Sequence, residues 1–383
     1  MRILYILQYY PVYGGGETVT VRLANELISR GHEIFVAYTI DKYLDPMPYE
    51  VSPLIKKKKF ERLTAPYHDY DIQTLKDYIV SNHIDIAINQ WADKKLCFDA
   101  TRGTDCKLIK CYHVSTFYPL VPTDGIKRFI AKIAKPLWDH YCHRKQVKMH
   151  KNNYNLCDKY VFLTKFAEEE LYTEFKYDRA KVTSIPNPAT YDNWLDKSKI
   201  KSKKKNVIFV GRLIEYNKRI SFIIQAWNLL SKRNQINGWE LNIIGEGPDK
   251  QLYLDMIEKY SIPNCNLLGY HAPDKYYDES SILLMSSYIE GWGMVIVEGM
   301  QKGVVPIVTD SFSAANAIIT NGVDGIIVPN NDLEQFANTI KKLMDDDEER
   351  EKMACKCIEN SKRFCLPVVA DKWEKLFLDL KSN

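Results

Sequence analysis

Short apolar runs punctuate the first half of the chain at residues 3–7, 34–38, 84–88, 108–113, 160–163 and 182–185. Their apolar positions are mostly successive rather than alternating, the pattern of strands covered on both faces in a parallel sheet. Longer segments with helical periodicity separate several of them, which predicts a doubly wound α/β domain. A polar stretch follows Ile185-Pro186-Asn187-Pro188 and ends at Lys203-Lys204-Lys205, where it reads as an interdomain linker. The strand pattern then restarts at 207–210, 241–244, 266–268, 282–285, 304–308 and 325–328. Two α/β domains in series are expected, spanning 1–190 and 200–365. In the tail, Val369, Trp373, Leu376, Phe377 and Leu380 fall on one helical stripe that needs a partner, with Pro367 in the first turn.

The length of 383 residues agrees with two cores. No apolar run reaches the roughly 18 residues of a membrane-spanning helix, and the opening Met1-Arg2-Ile3-Leu4-Tyr5-Ile6-Leu7 reads as a strand rather than a signal peptide. Nine scattered cysteines without a disulfide framework suit a reducing compartment, so the expected location is cytoplasmic. His140, Cys142, His143, His150 and Cys157 have spacings that match no standard zinc site, and Cys355 and Cys357 fall on different faces of a helix. No metal is expected. The acids Asp345-Asp346-Asp347 lie between two helical segments and read as a helix cap. The net charge is only +4, yet residues 127–151 alone hold eight Lys or Arg against the single acid Asp139. A local anionic partner fits that distribution better than nucleic acid does.

Three loops carry candidate chemistry. Gly14-Gly15-Gly16 precedes a helix, so the backbone can approach a ligand closely and the helix start offers amides to an anion. Val19 occupies the third glycine position of a dinucleotide fingerprint, which argues against NAD. After the strand at 207–210, Arg212 and Lys218 can set two cations over a pyrophosphate, one a planar fork and the other a point charge. In Glu290-Gly291-Trp292-Gly293-Met294-Val295-Ile296-Val297-Glu298 the glycines make a turn before a helix, and the two carboxylates can accept hydrogen bonds from hydroxyls.

Taken in order, these loops, with Gly211, Gly245-Glu246-Gly247-Pro248 and Asp324-Gly325-Ile326-Ile327-Val328-Pro329, resemble glycosyltransferase family 4 over nearly the whole chain. The resemblance implies the GT-B fold: two Rossmann-like domains facing a cleft, with the helix 366–383 returning to the N-terminal, acceptor-binding domain. It implies that Arg212 and Lys218 bind the donor diphosphate, that Glu290 touches the transferred sugar and that Glu298 takes the ribose hydroxyls. Gly15, Gly16 and the backbone of Gly291, Trp292, Gly293, Met294 and Val295 would line the donor pocket, and His113 would contact the donor sugar. Residues 311–316 depart from the family, which commonly has paired glycines and an acid there.

The activity implied is metal-independent, retaining transfer of a hexose or N-acetylhexosamine from a UDP-sugar to a saccharide or lipid-linked saccharide in surface polysaccharide or glycolipid synthesis. A nucleotide-sugar epimerase and an inactive binding paralogue of the same fold remain alternatives. The segment 127–151 interleaves Lys127, Arg128, Lys132, Lys135, Arg144, Lys145, Lys148 and Lys151 with Phe129, Ile130, Ile133, Leu137, Trp138 and Tyr141. Such a mix suits an anionic membrane surface, or alternatively an amphipathic helical pair packed on the core.

Overall fold

The computed structural model describes residues 1–11, 14–43, 49–120 and 133–382. The chain forms two compact units, one of Met1–Pro188 with Leu366–Asn383 and one of Ala189–Cys365.

The first unit contains β1 (Arg2–Ile6), β2 (Tyr9–Pro11), β3 (Glu33–Tyr38), β4 (Ile40–Lys42), β5 (Lys56–Lys59), β6 (Ile86–Asn89), β7 (Lys107–Cys111), β8 (Lys159–Phe162) and β9 (Val182–Ser184). Seven of these make a sheet in the order β5-β3-β1-β6-β7-β8-β9, and every pairing in it is parallel. Successive residues of β1 enter opposite cores, Ile3 and Tyr5 on one face and Leu4 and Ile6 on the other, which is why the run shows no polar alternation. The terminal helix Leu366–Ser382 covers the first face with Val369, Ala370, Trp373, Leu376 and Phe377. Its outer side is tied down by Arg30, whose guanidinium bonds Asp371 and Glu374 at 2.6 Å each, and by the ion pair of Lys381 with Asp85 at 2.8 Å.

The second unit contains β10 (Asn206–Val210), β11 (Glu240–Ile244), β12 (Cys265–Gly269), β13 (Ile282–Met285), β14 (Val305–Asp310) and β15 (Ile326–Pro329). They form one parallel sheet in the order β12-β11-β10-β13-β14-β15. The strand order reverses beside β10 here and beside β1 in the first unit. In open parallel sheets that reversal opens a crevice at the carboxyl ends of the strands.

The polar stretch expected to be a linker is instead built into the second unit. Gln301 clamps the backbone of Tyr191, accepting from its N–H at 3.2 Å and donating to its carbonyl at 2.8 Å, and the Trp194 indole donates to Ser361 at 2.9 Å. Lys203 is half-buried and donates to the carbonyls of Tyr277 and Ser280, each at 2.8 Å, so it caps the end of the helix Asp274–Glu279. Lys203 thus serves a helix end, whereas Lys199, Lys201, Lys204 and Lys205 of the same segment are exposed. At the other acidic cluster, the Asp346 carboxylate accepts the Glu349 N–H at 2.9 Å and caps the helix Asp347–Ser361, as the sequence suggests.

Candidate active site

In the second unit the expected donor residues gather at the strand-order reversal. Val210 leads into Gly211 and the exposed Arg212, and the short helix Glu215–Lys218 follows. Met285 of the adjoining β13 leads into Ser286 and then Glu290. Backbone bonds sew the two loops together. Tyr288 N–H donates to the Asn217 carbonyl at 2.7 Å, and Ser286 Oγ lies 2.9 Å from the carbonyls of both Lys218 and Arg219. This stitching sets Lys218 against Glu290 in a direct ion pair whose side chains are about one-fifth exposed. Arg212 has no ion-pair partner among the described residues, leaving its guanidinium available to an incoming anion.

The turn after Glu290 ends at Gly293, which takes a left-handed conformation with φ 90° and starts the helix Met294–Gln301 without a side-chain cap. One turn and more along, Glu298 is held by two protein hydroxyls. Thr190 Oγ1 donates to Oε1 at 2.7 Å and Tyr277 donates to Oε2 at 3.0 Å. Burial raises the pKa of this carboxyl while those two donors oppose the rise. The carboxylate is thus oriented before any ligand arrives, with acceptor capacity left for further hydroxyls. Trp292 stands differently: its indole is 3% exposed and packs edge-on against Phe364 at 5.3 Å, so it belongs to the core and only its backbone is at the turn.

The loop after β10 depends on Gly245. It has φ 149°, and a Cβ there would lie 1.8 Å from the Gly211 carbonyl oxygen. That contact explains why the Gly-Glu-Gly-Pro segment accompanies Gly211-Arg212: the first glycine lets the β11 loop run under the cation-bearing one.

His113, Gly15 and Gly16 belong to the first unit. His113 follows β7, its two ring nitrogens are buried without a partner among the described residues, and Trp91 stacks on it with centroids 6.5 Å apart. Burial, helped by the charge of Lys110, lowers the His113 pKa to about 4. The glycine loop departs from expectation. The helix Gly15–Ser29 does start there, but Glu17, only 4% exposed, accepts the Gly14 N–H at 3.1 Å and supplies the negative charge itself. A phosphate at this helix start would meet that carboxylate, which disfavours anion binding there. Thr20 Oγ1 fastens it to the end of β6, lying 2.8 Å from Gly16 O and 2.9 Å from Gln90 Oε1.

His150, one of the histidines near Cys142 and Cys157, is held by hydrogen bonds within the first unit. Among the described residues no group of three His, Cys, Asp or Glu could hold an ion. His150 lies 2.8 Å from both the Thr116 carbonyl and the Tyr160 hydroxyl. The carbonyl can only accept, so Nε2 carries the proton and Nδ1 accepts from Tyr160. Burial lowers the His150 pKa to about 4. The unfolded chain therefore binds protons near pH 6.5 that the folded ring refuses until about pH 4. Stability should be insensitive to His150 above that window and fall as pH drops through it. At pH 5 the loss should be about 2 kcal/mol, or roughly 5 °C in melting temperature. Thermal melts between pH 7 and 5 check this, and His150→Gln should show a shallower slope than wild type.

Sequence reasoning named Arg212, Lys218, Glu290 and Glu298 but not Thr190 and Tyr277, which hold Glu298, nor Ser286, which ties its loop to the backbone of Lys218 and Arg219. Tyr277 sits in the polar string Asp274–Glu279, and nothing in that string marks one tyrosine as fully buried.

Residues 13–192 match the family model described as Glycosyltransferase Family 4, and residues 190–363 match Glycosyl transferases group 1. The chain belongs to glycosyltransferase family 4. Among relatives of this family 4 protein, the exopolysaccharide phosphotransferase SCO2592 of Streptomyces coelicolor is 28% identical over 59% of this chain and 24% of its own length. The GalNAc-alpha-(1->4)-GalNAc-alpha-(1->3)-diNAcBac-PP-undecaprenol alpha-1,4-N-acetyl-D-galactosaminyltransferase of Campylobacter jejuni is 22% identical over 96% of both chains. The family 4 chain spans only 24 to 63% of the length of the first curated relatives it matches. Among solved structures, Anabaena Alr3699/HepE in complex with UDP and glucose superposes with a TM-score of 0.74 at 14% identity, covering 99% of this chain and 100% of that one. The fold is therefore GT-B, an α/β architecture of two Rossmann-like units.

Proposed function

We propose that the protein is a retaining, metal-independent glycosyltransferase. It transfers a hexose or N-acetylhexosamine from a nucleotide diphosphate sugar, with uridine as base, to a saccharide or lipid-linked saccharide of a surface polysaccharide or glycolipid. The observation carrying this reading is the Lys218–Glu290 pair at the strand-order reversal of the second unit, on loops shared with Arg212, which has no ion-pair partner among the described residues.

Breaking a glycosyl-phosphate bond builds negative charge on the departing diphosphate. Arg212 and Lys218 stabilise that charge, helped by the amides of the uncapped helix start after Gly293. Glu290, paired to Lys218, accepts sugar hydroxyls and couples the sugar's position to that of the phosphates. Glu298 accepts the ribose hydroxyls from its Thr190 and Tyr277 mount. The leaving phosphate takes the acceptor's proton on the same face, which gives retention. His113, neutral at pH 7, contributes a hydrogen bond rather than a charge. The Campylobacter relative's name, with its undecaprenol-linked acceptor, and the UDP and glucose complex of the Anabaena protein support the substrate classes.

A thermal-shift panel of nucleotide sugars tests the donor assignment, since a ligand that binds only the folded state raises the melting temperature. NMR of the product anomer tests retention, and turnover unaffected by EDTA is expected. Interconversion of sugars in the absence of acceptor would replace transfer by epimerisation, and a flat panel would remove the donor site.

We further propose that the protein works peripherally on the cytoplasmic face of an anionic membrane. On the helix Lys135–Asn155 and just before it, Ile133, Leu137 and Tyr141 are 68, 74 and 56% exposed, on one stripe at i, i+4 and i+8. Arg144, Lys145 and Lys148 are exposed on the same helix. Its core-facing side is polar, with Cys142, Gln146, His150 and Asn153 buried, so the apolar stripe is not what anchors it. Lys127, Arg128, Phe129, Ile130 and Lys132 lie outside the described residues. Among the described residues no helix is long and apolar enough to cross a membrane. Charge reversal at Arg144, Lys145 and Lys148 should weaken co-sedimentation with phosphatidylserine vesicles by at least roughly 100-fold, given about 1 kcal/mol per basic residue. Binding that survives the reversal would defeat the assignment.

A further inference from the structure

In the first unit a cavity of about 320 Å³ opens at the carboxyl ends of β6 and β7. That is a small-molecule size, the usual range being roughly 300 to 1,000 Å³. Its walls include Trp91, Asp93, Lys94, Lys110, His113 and Asn153. The charges do not balance locally. Lys110 is half-buried, and among the described residues its ammonium reaches only neutral acceptors, Asn89 Oδ1 at 3.3 Å and the Gln90 carbonyl at 3.2 Å. Lys94 lines the same space, and its charge is among those that disfavour protonation of Lys110, so the two ammonium groups sense each other. Among the described residues neither has a carboxylate within ion-pair distance. The one acid in the wall, Asp93, is committed to capping the helix Lys94–Thr101, its Oδ1 accepting the N–H groups of Lys95 at 2.8 Å and Leu96 at 3.1 Å. His113 presents two buried ring nitrogens with no hydrogen-bond partner among the described residues. Trp91 is 46% exposed and lies at the rim, stacked on His113.

Two lysines sharing a partly desolvated cavity with no carboxylate in ion-pair contact among the described residues are stabilised by an anion placed between them. An exposed indole at the rim offers a flat apolar face to the C–H side of a pyranose. We propose that this cavity is the acceptor subsite for an anionic sugar, with Lys94 and Lys110 taking its phosphate or carboxylate, Trp91 its ring and the His113 imidazole a hydroxyl. The inference rests on the transferase reading and narrows its acceptor to a saccharide carrying negative charge next to the sugar that is glycosylated.

The test uses full-length protein carrying Arg212→Ala and Lys218→Ala, so that the donor cations cannot bind the probes. Glucose 1-phosphate, glucuronate, glucose and inorganic phosphate are titrated and binding is followed by calorimetry. Glucose 1-phosphate or glucuronate should bind at least roughly tenfold more tightly than glucose, as expected for hydrogen bonds to charged groups. Preference for the first points to a phosphate-bearing acceptor, and preference for the second to a uronate. Adding Lys94→Ala or Lys110→Gln should remove that preference. Adding Trp91→Ala should weaken both anionic sugars while leaving inorganic phosphate unchanged. Lys94 and Trp91 are not core residues, so these variants remain informative if Lys110→Gln fails to fold. Equal binding of all four probes, no binding, or binding indifferent to Lys94 and Trp91 would overturn the assignment. UDP binding to the protein with Arg212 and Lys218 intact is measured in parallel. Its absence would defeat the donor reading, whereas its presence alongside failed sugar binding would defeat the acceptor subsite alone.

Discussion

Arg212→Ala and Lys218→Ala should each lower sugar transfer by roughly 100- to 1,000-fold while leaving the melting temperature of the donor-free protein nearly unchanged for Arg212. That size is typical for removing one preorganised group aimed at developing charge. The two variants should differ in an instructive way. Arg212 is exposed and has no ion-pair partner among the described residues, so its loss removes only ligand contacts. Lys218 is paired with Glu290, and both side chains are about one-fifth exposed. Its removal leaves a partly buried carboxylate facing the place where the diphosphate would sit. Lys218→Ala should therefore weaken donor binding more than Arg212→Ala, and adding Glu290→Gln should restore part of the UDP affinity without restoring transfer. Arg212→Lys should recover binding incompletely, because a point charge cannot match the two-pronged fork. Initial rates and calorimetry with UDP check each step. Near-normal turnover in purified Arg212→Ala and Lys218→Ala would end the donor-site assignment.

Gly245→Ala should be the most damaging single methyl addition in the second unit. The new Cβ would stand 1.8 Å from the Gly211 carbonyl oxygen and 2.9 Å from its carbonyl carbon, and the neighbour is backbone at a strand end, which has no rotamer to yield. The residue also has φ 149°, so relief of the contact does not remove the conformational cost. A loss of about 4 kcal/mol or more is expected, in the range reserved for severe steric and backbone defects. Gly238→Ala supplies the control: it has φ 77° with nothing within 4 Å, and should cost only about 1 kcal/mol. Denaturant titration of the two variants distinguishes them, and similar midpoints would refute the close-packing argument.

Much of the fold was legible because both faces of each sheet are covered, so the central strands advertise themselves as unbroken apolar runs. The strand β5 was not legible. It is four consecutive lysines at a sheet edge, with Lys56 paired to Glu33 and Lys59 to Asp41. One side of an edge strand has no neighbour, and charge there discourages pairing with other chains, so apolar content cannot reveal it. Nor could the sequence separate a linker from residues 189–205, because a lysine that caps carbonyls and a lysine in solvent are the same letter. At the site, glycines and charges were readable since their chemistry depends on residue type. The Glu17 carboxylate within the glycine loop was visible as a residue, but its turn toward Gly14 is a matter of local geometry.

The terminal helix has a consequence for how the chain is made. Its apolar stripe completes the core of a body whose other parts are nearly all synthesised before Pro188, while residues 189–365 build a separate body in between. During translation the early portion emerges with Ile3, Tyr5, Val21 and Leu27 lacking the lid that Val369, Trp373 and Phe377 will provide. The later body can close on itself first. Final consolidation of the earlier one waits for residues 366–382 to leave the ribosome, so a nascent chain stalled before residue 366 would present a bare apolar groove to chaperones.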